Sequence, residues 1–141
     1  MVELRAVELR VVRCLGAAHV LDVLDPAGGT SCRIAADELL LLEPNVVPRD
    51  AEQCLVVDHT DAFAAYVLTG DDVDEAFARL SAIRLPDARP AFLQGAVADV
   101  AAKVVADTGR ILVLVSSSLG HHLRERALAS CRDLGIVEFQ P

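Results

Sequence analysis

The run Ile111 to Val115, ILVLV, is five consecutive aliphatic residues between a turn signal, Asp107-Thr108-Gly109, and three serines at 116–118. A short unbroken apolar run bounded by turn residues reads as a buried strand. It is far too short to cross a bilayer, as is the chain's other long aliphatic run, LLLL at 39–42. A buried strand cannot stand alone. It needs hydrogen-bonding neighbours along its edges and apolar elements over its faces. The rest of the chain must therefore supply a sheet and its cover.

The material for that is present. A length of 141 residues suits one domain, here taken as 1–141. Apolar residues make up 53%, but aromatics only 4% and Trp is absent, so the core is aliphatic. Few aromatic platforms count against single-stranded nucleic-acid binding. A net charge of −8 repels phosphate backbones and acidic membranes alike, so neither nucleic acid nor membrane is an expected partner. A mean hydropathy of +0.40 is high for a free-standing soluble domain. It fits either a face covered by a partner or simply an Ala/Val/Leu-rich composition. Cys14, Cys32, Cys54 and Cys131 form no C-x-x-C pair and read as small core residues in a reduced, cytoplasmic setting. Charges interrupt the opening MVELRAVELRVVRCLG, so no secretory leader is visible there.

Along the chain, residues 1–16 carry the near-repeat VELRAVELR and read as an irregular arm or a first edge strand. AHVLDVLD (18–25) alternates in part and runs into the turn signal DPAGG. SCRIA (31–35) and LLLLE (39–43), joined by a tight ADE turn, predict a hairpin. PNVVPRDAEQ (44–53) reads as a loop, and residues 54–70 as one long strand or two with a bend. The period then changes: Val73, Ala76, Phe77 and Leu80 fall on one helical face, with Asp71, Asp72 and Asp74 loading the first turn. Residues 92–107 read as two short strands or a bent one. A second helix is predicted over 119–135, with Gly135 as its C′ residue and a short strand after it. The class is α+β: a small, mostly antiparallel sheet with two helices on one face and a ferredoxin-like split β-α-β character.

Four stretches tempt a catalytic or binding reading. SSSLGHHLRER (116–126) sets serines, two histidines and Glu125 close together. On a helical wheel Leu119, Leu123, Ala127, Cys131 and Leu134 share one face about 120° wide. His121 and His122 then point away from it, and His121 sits four residues before Glu125. Ser117 or Ser118 is placed to cap the helix. No G-x-S-x-G elbow is present, so no catalytic residue is assigned. His121 and His122 are the candidate partner contacts. In DHTD (58–61), read as strand, Asp58 faces away from His59 and Asp61, leaving too few ligands on one face for a metal. PAGGT (26–30) lacks the context of a nucleotide loop and reads as a hairpin turn. Lys103, the only lysine, reads as an edge-strand guard.

CRIAADELLLLEP (32–44) resembles the W-R-L-G-P-D-E-W-L-L-L-G-P signature of the sarcosine oxidase gamma subunit family. VVDHTDAFAAYVLTGDDVDEAFARLSAIRLP (56–86) is similar to that family's V-V-D-V-S-D-A-F-A segment and the helix after it. Residues 91–128 are similar to its last strands and final helix. The same module occurs in the glycine-cleavage T protein and related folate-dependent enzymes. The resemblance implies a non-catalytic small subunit of a folate- and flavin-dependent amine-oxidising complex, with larger subunits as partners. A homo-oligomer, or a stand-alone domain binding folate or another small molecule, is the alternative. The family's Pro-Arg before the last helix is a serine pair here, and the K-G-C-Y-x-G-Q-E motif of the folate proteins is missing. Folate therefore enters only through the resemblance, and no folate-binding residue is carried over.

Overall fold

The computed structural model describes residues 1–24, 28–48 and 54–139. In chain order the elements are β1 (Val2–Val7), β2 (Val11–Gly16), α1 (Ala18–Leu21), β3 (Thr30–Ala35), β4 (Glu38–Leu42), β5 (Cys54–Asp58), β6 (Phe63–Gly70), α2 (Val73–Leu80), β7 (Ala91–Val97), β8 (Val100–Asp107), β9 (Arg110–Ser116), α3 (Gly120–Ser130) and β10 (Ile136–Glu138). Single 3₁₀ turns lie at Thr60–Ala62, Ser117–Leu119 and Arg132–Leu134. The α+β class holds, but the strands form two sheets and not one. They belong to two compact units, Met1–Glu8 with Ala62–Pro141, and Leu9–Asp61.

The first unit carries the six-stranded sheet, in the order β10-β1-β6-β9-β8-β7. All its pairings are antiparallel except β1 with β10. The ILVLV strand is β9; it lies between β6 and β8, and all five residues are buried. Ile111, Val113 and Val115 share one face and pack with Val73, Ala76, Phe77 and Leu80 of α2 and with Leu123 and Ala127 of α3. Both helices thus cover the same side of the sheet. β9 and β10 run parallel, joined through α3 with β6 and β1 between them, which is the split β-α-β element of the fold.

The helices are also tied at their ends. Arg79 of α2 donates to Glu75 at 3.1 Å, to the Ser130 carbonyl at the end of α3 and to Asp133 just beyond it. Arg89 grips Asp74 in the first turn of α2 with two bonds of 2.8 Å, and this pairing holds the Asp74 carboxyl below the usual carboxylate range. Gly120 lets α3 approach β6: a Cβ there would lie 2.7 Å from the Ala64 Cβ. The second predicted helix is shorter than its periodicity suggests. It ends at Ser130, and Gly135 closes the following 3₁₀ turn in the left-handed region, φ 69°.

The second unit carries a four-stranded antiparallel sheet, order β3-β4-β2-β5, including the predicted β3–β4 hairpin. Val12, Cys14, Leu21, Leu39, Leu41 and Cys54 form its core, with Val20, Leu24, Val47 and Val56 packed against them. Three expectations change. Residues 1–16 are two strands in two different sheets, and β1 lies between β10 and β6, so it is not an edge. AHVLDVLD begins as the helix α1, because Leu21 turns into the core while Val23 stays exposed. PAGGT follows that helix, so it does not join two strands of a hairpin; its Pro26 and Ala27 lie outside the described residues, as does much of the 44–53 loop.

Candidate functional site

The serine–histidine corner is built by β9 running into α3. Ser116 ends the strand, and the 3₁₀ turn Ser117–Leu119 leads into the helix. That turn displaces the serines from the α-helical cap position, which Leu119 takes, and no serine side chain caps the helix. Ser116 and Ser118 instead place their hydroxyls 3.3 Å apart. Among the described residues no hydrogen bond joins these serines to either histidine, so no nucleophile–base pair forms.

The two histidines have different surroundings. His121 is exposed, its Nε2 2.9 Å from Glu125 Oε1 one turn along the helix. His122 is half-buried, its Nε2 2.8 Å from the Ala98 carbonyl oxygen. A carbonyl only accepts, so Nε2 carries the proton. Ala98 and Asp99 form the two-residue turn between β7 and β8, with φ of 51° and 67°. One turn further along α3, Arg126 reaches Asp99 at 3.0 Å. His122 and Arg126 therefore clasp a hairpin turn of their own chain. Of the two histidines expected to point away from the core, His121 is exposed, whereas His122 is half-buried against a carbonyl 24 residues away in sequence.

The remaining candidates are structural by their contacts. β5 stops at Asp58, so DHTD is a corner and the face assignment made for a strand does not apply. The Thr60 amide donates to Asp58 at 3.0 Å, which with the Thr60 hydroxyl holds the Asp58 carboxyl low. The Val11 amide donates to the Thr60 hydroxyl, and the His59 amide to the Val11 carbonyl, so the corner is stitched to β2. No group of three or more potential metal ligands occurs among the described residues. Lys103 guards no edge: β8 is flanked by β7 and β9, and the ammonium lies 5.6 Å from the Phe63 ring centroid. All four cysteines are free and buried. Burial, reinforced by the neighbouring Cys54, pushes the Cys14 thiol up to about 11. Burial alone pushes Cys32 up to about 12, and it raises Cys131 as well.

No family model matches the chain, and no curated protein does. Solved structures do. The fold is shared with a chain of a sarcosine oxidase. That structure, the heterotetrameric sarcosine oxidase from Corynebacterium sp. U-96, superposes with a TM-score of 0.82 at 13% identity, over 99% of this chain and 88% of the other. The glycine cleavage system aminomethyltransferase T from Bartonella henselae superposes at 0.65 and 15% identity; 97% of this chain matches, but it spans only 47% of that protein. At such identities the likeness is one of fold. It agrees with the relationship suggested by CRIAADELLLLEP and the segments after it. No described helix is long and apolar enough to cross a membrane.

Proposed function

We propose that this chain is a non-catalytic small subunit that helps assemble a sarcosine-oxidase-like, folate-linked amine-oxidising complex. The observation that carries this reading is the full-length fold match to one chain of a heterotetramer, covering 99% of this chain and 88% of that one. The serine–histidine corner suits it: Ser116 engages Ser118, His122 a backbone carbonyl and His121 the Glu125 carboxylate. Exposed apolar side chains, Leu55 and Val57 on β5 in the second unit and, separately, Val137 and Phe139 at β10 in the first, suit surfaces that larger subunits cover. His121, with Glu125 beside it, is the more accessible of the two proposed partner contacts; His122 shapes the same corner. Four reduced, buried thiols suit a cytoplasmic setting.

The test is affinity purification of the tagged chain from its native extract, alongside the His121→Ala/His122→Ala double variant. Larger subunits are expected with the wild-type chain and reduced amounts with the variant, whose fold is checked by circular dichroism. Recovery of the wild-type chain alone contradicts the proposal.

The second reading, a stand-alone folate-binding domain, draws on the glycine cleavage T protein likeness. Two clefts of the first unit measure about 260 and 320 Å³, near the low end of pockets for drug-sized ligands (~300–1,000 Å³). A thermal-shift titration with tetrahydrofolate separates the readings. Stabilisation at saturating ligand favours the second, and its absence counts against it.

A further inference from the structure

The face of the six-stranded sheet opposite α2 and α3 carries a cleft of about 260 Å³ lined by Glu3, Arg5, Val7, Val67, Thr69 and Arg110. Strand alternation places them together. Val2 and Leu4 of β1 turn towards the helices, so Glu3, Arg5 and Val7 turn the other way. Register does the rest: Glu3 pairs with Thr69 and Thr69 with Arg110, making one polar row across three strands. Arg5 pairs with Val67 in the next row, where Val67 is buried and forms an apolar floor. The Arg5 guanidinium carbon lies 4.0 Å from the Phe139 ring centroid, and Phe139 is itself anchored by its amide on the Leu4 carbonyl at 2.8 Å. The ring thus gives the exposed Arg5 side chain a stacking partner beside the cleft.

The cleft gathers two arginines in a chain that carries 21 acidic against 13 basic residues. Arg13, Arg33, Arg79, Arg89, Arg124 and Arg126 each hold a carboxylate. Among the described residues Arg5 and Arg110 hold none, like Arg10, Arg84 and Arg132, but these two lie together, with Glu3 lining the same cleft. Two guanidinium groups and the Glu3 carboxylate line the cleft, and Asp107, the cross-strand partner of Arg110, brings a second carboxylate to the same face. Guanidinium forks match planar carboxylates, and the Thr69 hydroxyl adds a further donor. The apolar floor of Val7 and Val67 suits a short hydrocarbon tail. A dianion would bring its second charge against Glu3.

We propose that this cleft binds a small aliphatic monocarboxylate, held by Arg110, Arg5 and Thr69 with its tail on Val7 and Val67. The site is independent of the assembly role proposed above. The test is an amide-resolved NMR titration of the intact chain with sodium butyrate, with sodium chloride and inorganic phosphate as matched arms. Saturable shifts under butyrate, centred on Val67 to Thr69 and Arg110 with a millimolar midpoint, support the site. Arg110→Gln is expected to weaken butyrate ~10-fold, the loss of one charge-assisted pair, without altering the remaining spectrum. Arg110→Lys keeps the charge but loses the fork and is expected to fall between. Glu3→Gln is expected to bind butyrate at least as tightly as wild type. Equal shifts under chloride, tighter binding of phosphate, or no effect of either Arg110 variant overturns the proposal.

Discussion

The two units solve the same packing problem with different means. The first covers its six-stranded sheet with two helices, and its core is large: Phe77, Leu4, Leu68, Ile111 and the valines of β8 and β9. The second has a four-residue helix and, among its described residues, ten buried hydrophobic side chains, three of them cysteines. Stability should therefore be uneven along the chain, and the chemistry of the buried thiols belongs largely to the smaller core.

The sharpest way to break that comparison is Phe77→Ala. Phe77 is fully buried under α2, so its removal is expected to cost about 3–5 kcal/mol. Leu41→Ala in the smaller core should cost about 2–5 kcal/mol. Hydrogen exchange read peptide by peptide checks both. Protection lost first in the unit that carries the substitution supports the division, and equal loss throughout by either change argues against it.

Gly120→Val comes next. The new side chain would meet Ala64, so about 1–3 kcal/mol of destabilisation by overpacking is expected in denaturant titration. The adjacent histidines give a smaller but cleaner contrast. His122→Ala leaves the Ala98 carbonyl without its donor and should cost about 1 kcal/mol. His121→Ala removes only an exposed pair with Glu125 and should leave the melting temperature unchanged. Equal effects would show that the clasp on the β7–β8 turn contributes nothing.

The smallest effect is on pH. Asp74, Asp133 and Glu138 are held below their ordinary range by Arg89, Arg79 and Arg124. Depressed carboxylates stabilise the fold above their unfolded values, near pH 4, and lose that contribution as pH falls through the lower folded values. All three lie in the first unit, whereas Asp58, held low by Thr60, is the depressed carboxylate described in the second, so acid should weaken both units and the first the more. The Cys14 and Cys32 thiols, raised to about 11 and 12, should stay unreactive to a thiol reagent at pH 8 until their unit opens.

Local pattern made much of the first unit legible. The spacing of Val73, Ala76, Phe77 and Leu80 gave α2 its buried face, and ILVLV marked β9. What stayed hidden depends on contacts distant in sequence. Residues 54–70 look continuous, yet β5 and β6 enter different sheets because Thr60 is stitched to Val11. Lys103 looked like an edge guard because strand order is not local. α1 is one turn long, too short for periodicity to report. The inward turn of His122 depends on Ala98, in a turn that carries no glycine to announce it. The cleft of Arg5 and Arg110 was invisible for the same reason: its residues come from three strands spread over the chain.

The assembly role rests most directly on the native mass of the tagged chain purified from its own cells. Light scattering coupled to size exclusion, with absorbance read at 450 nm, is the measurement. Elution well above the 15.0 kDa of the chain, together with larger polypeptides and a flavin band, is expected. A monodisperse 15.0 kDa monomer without flavin absorbance would contradict it.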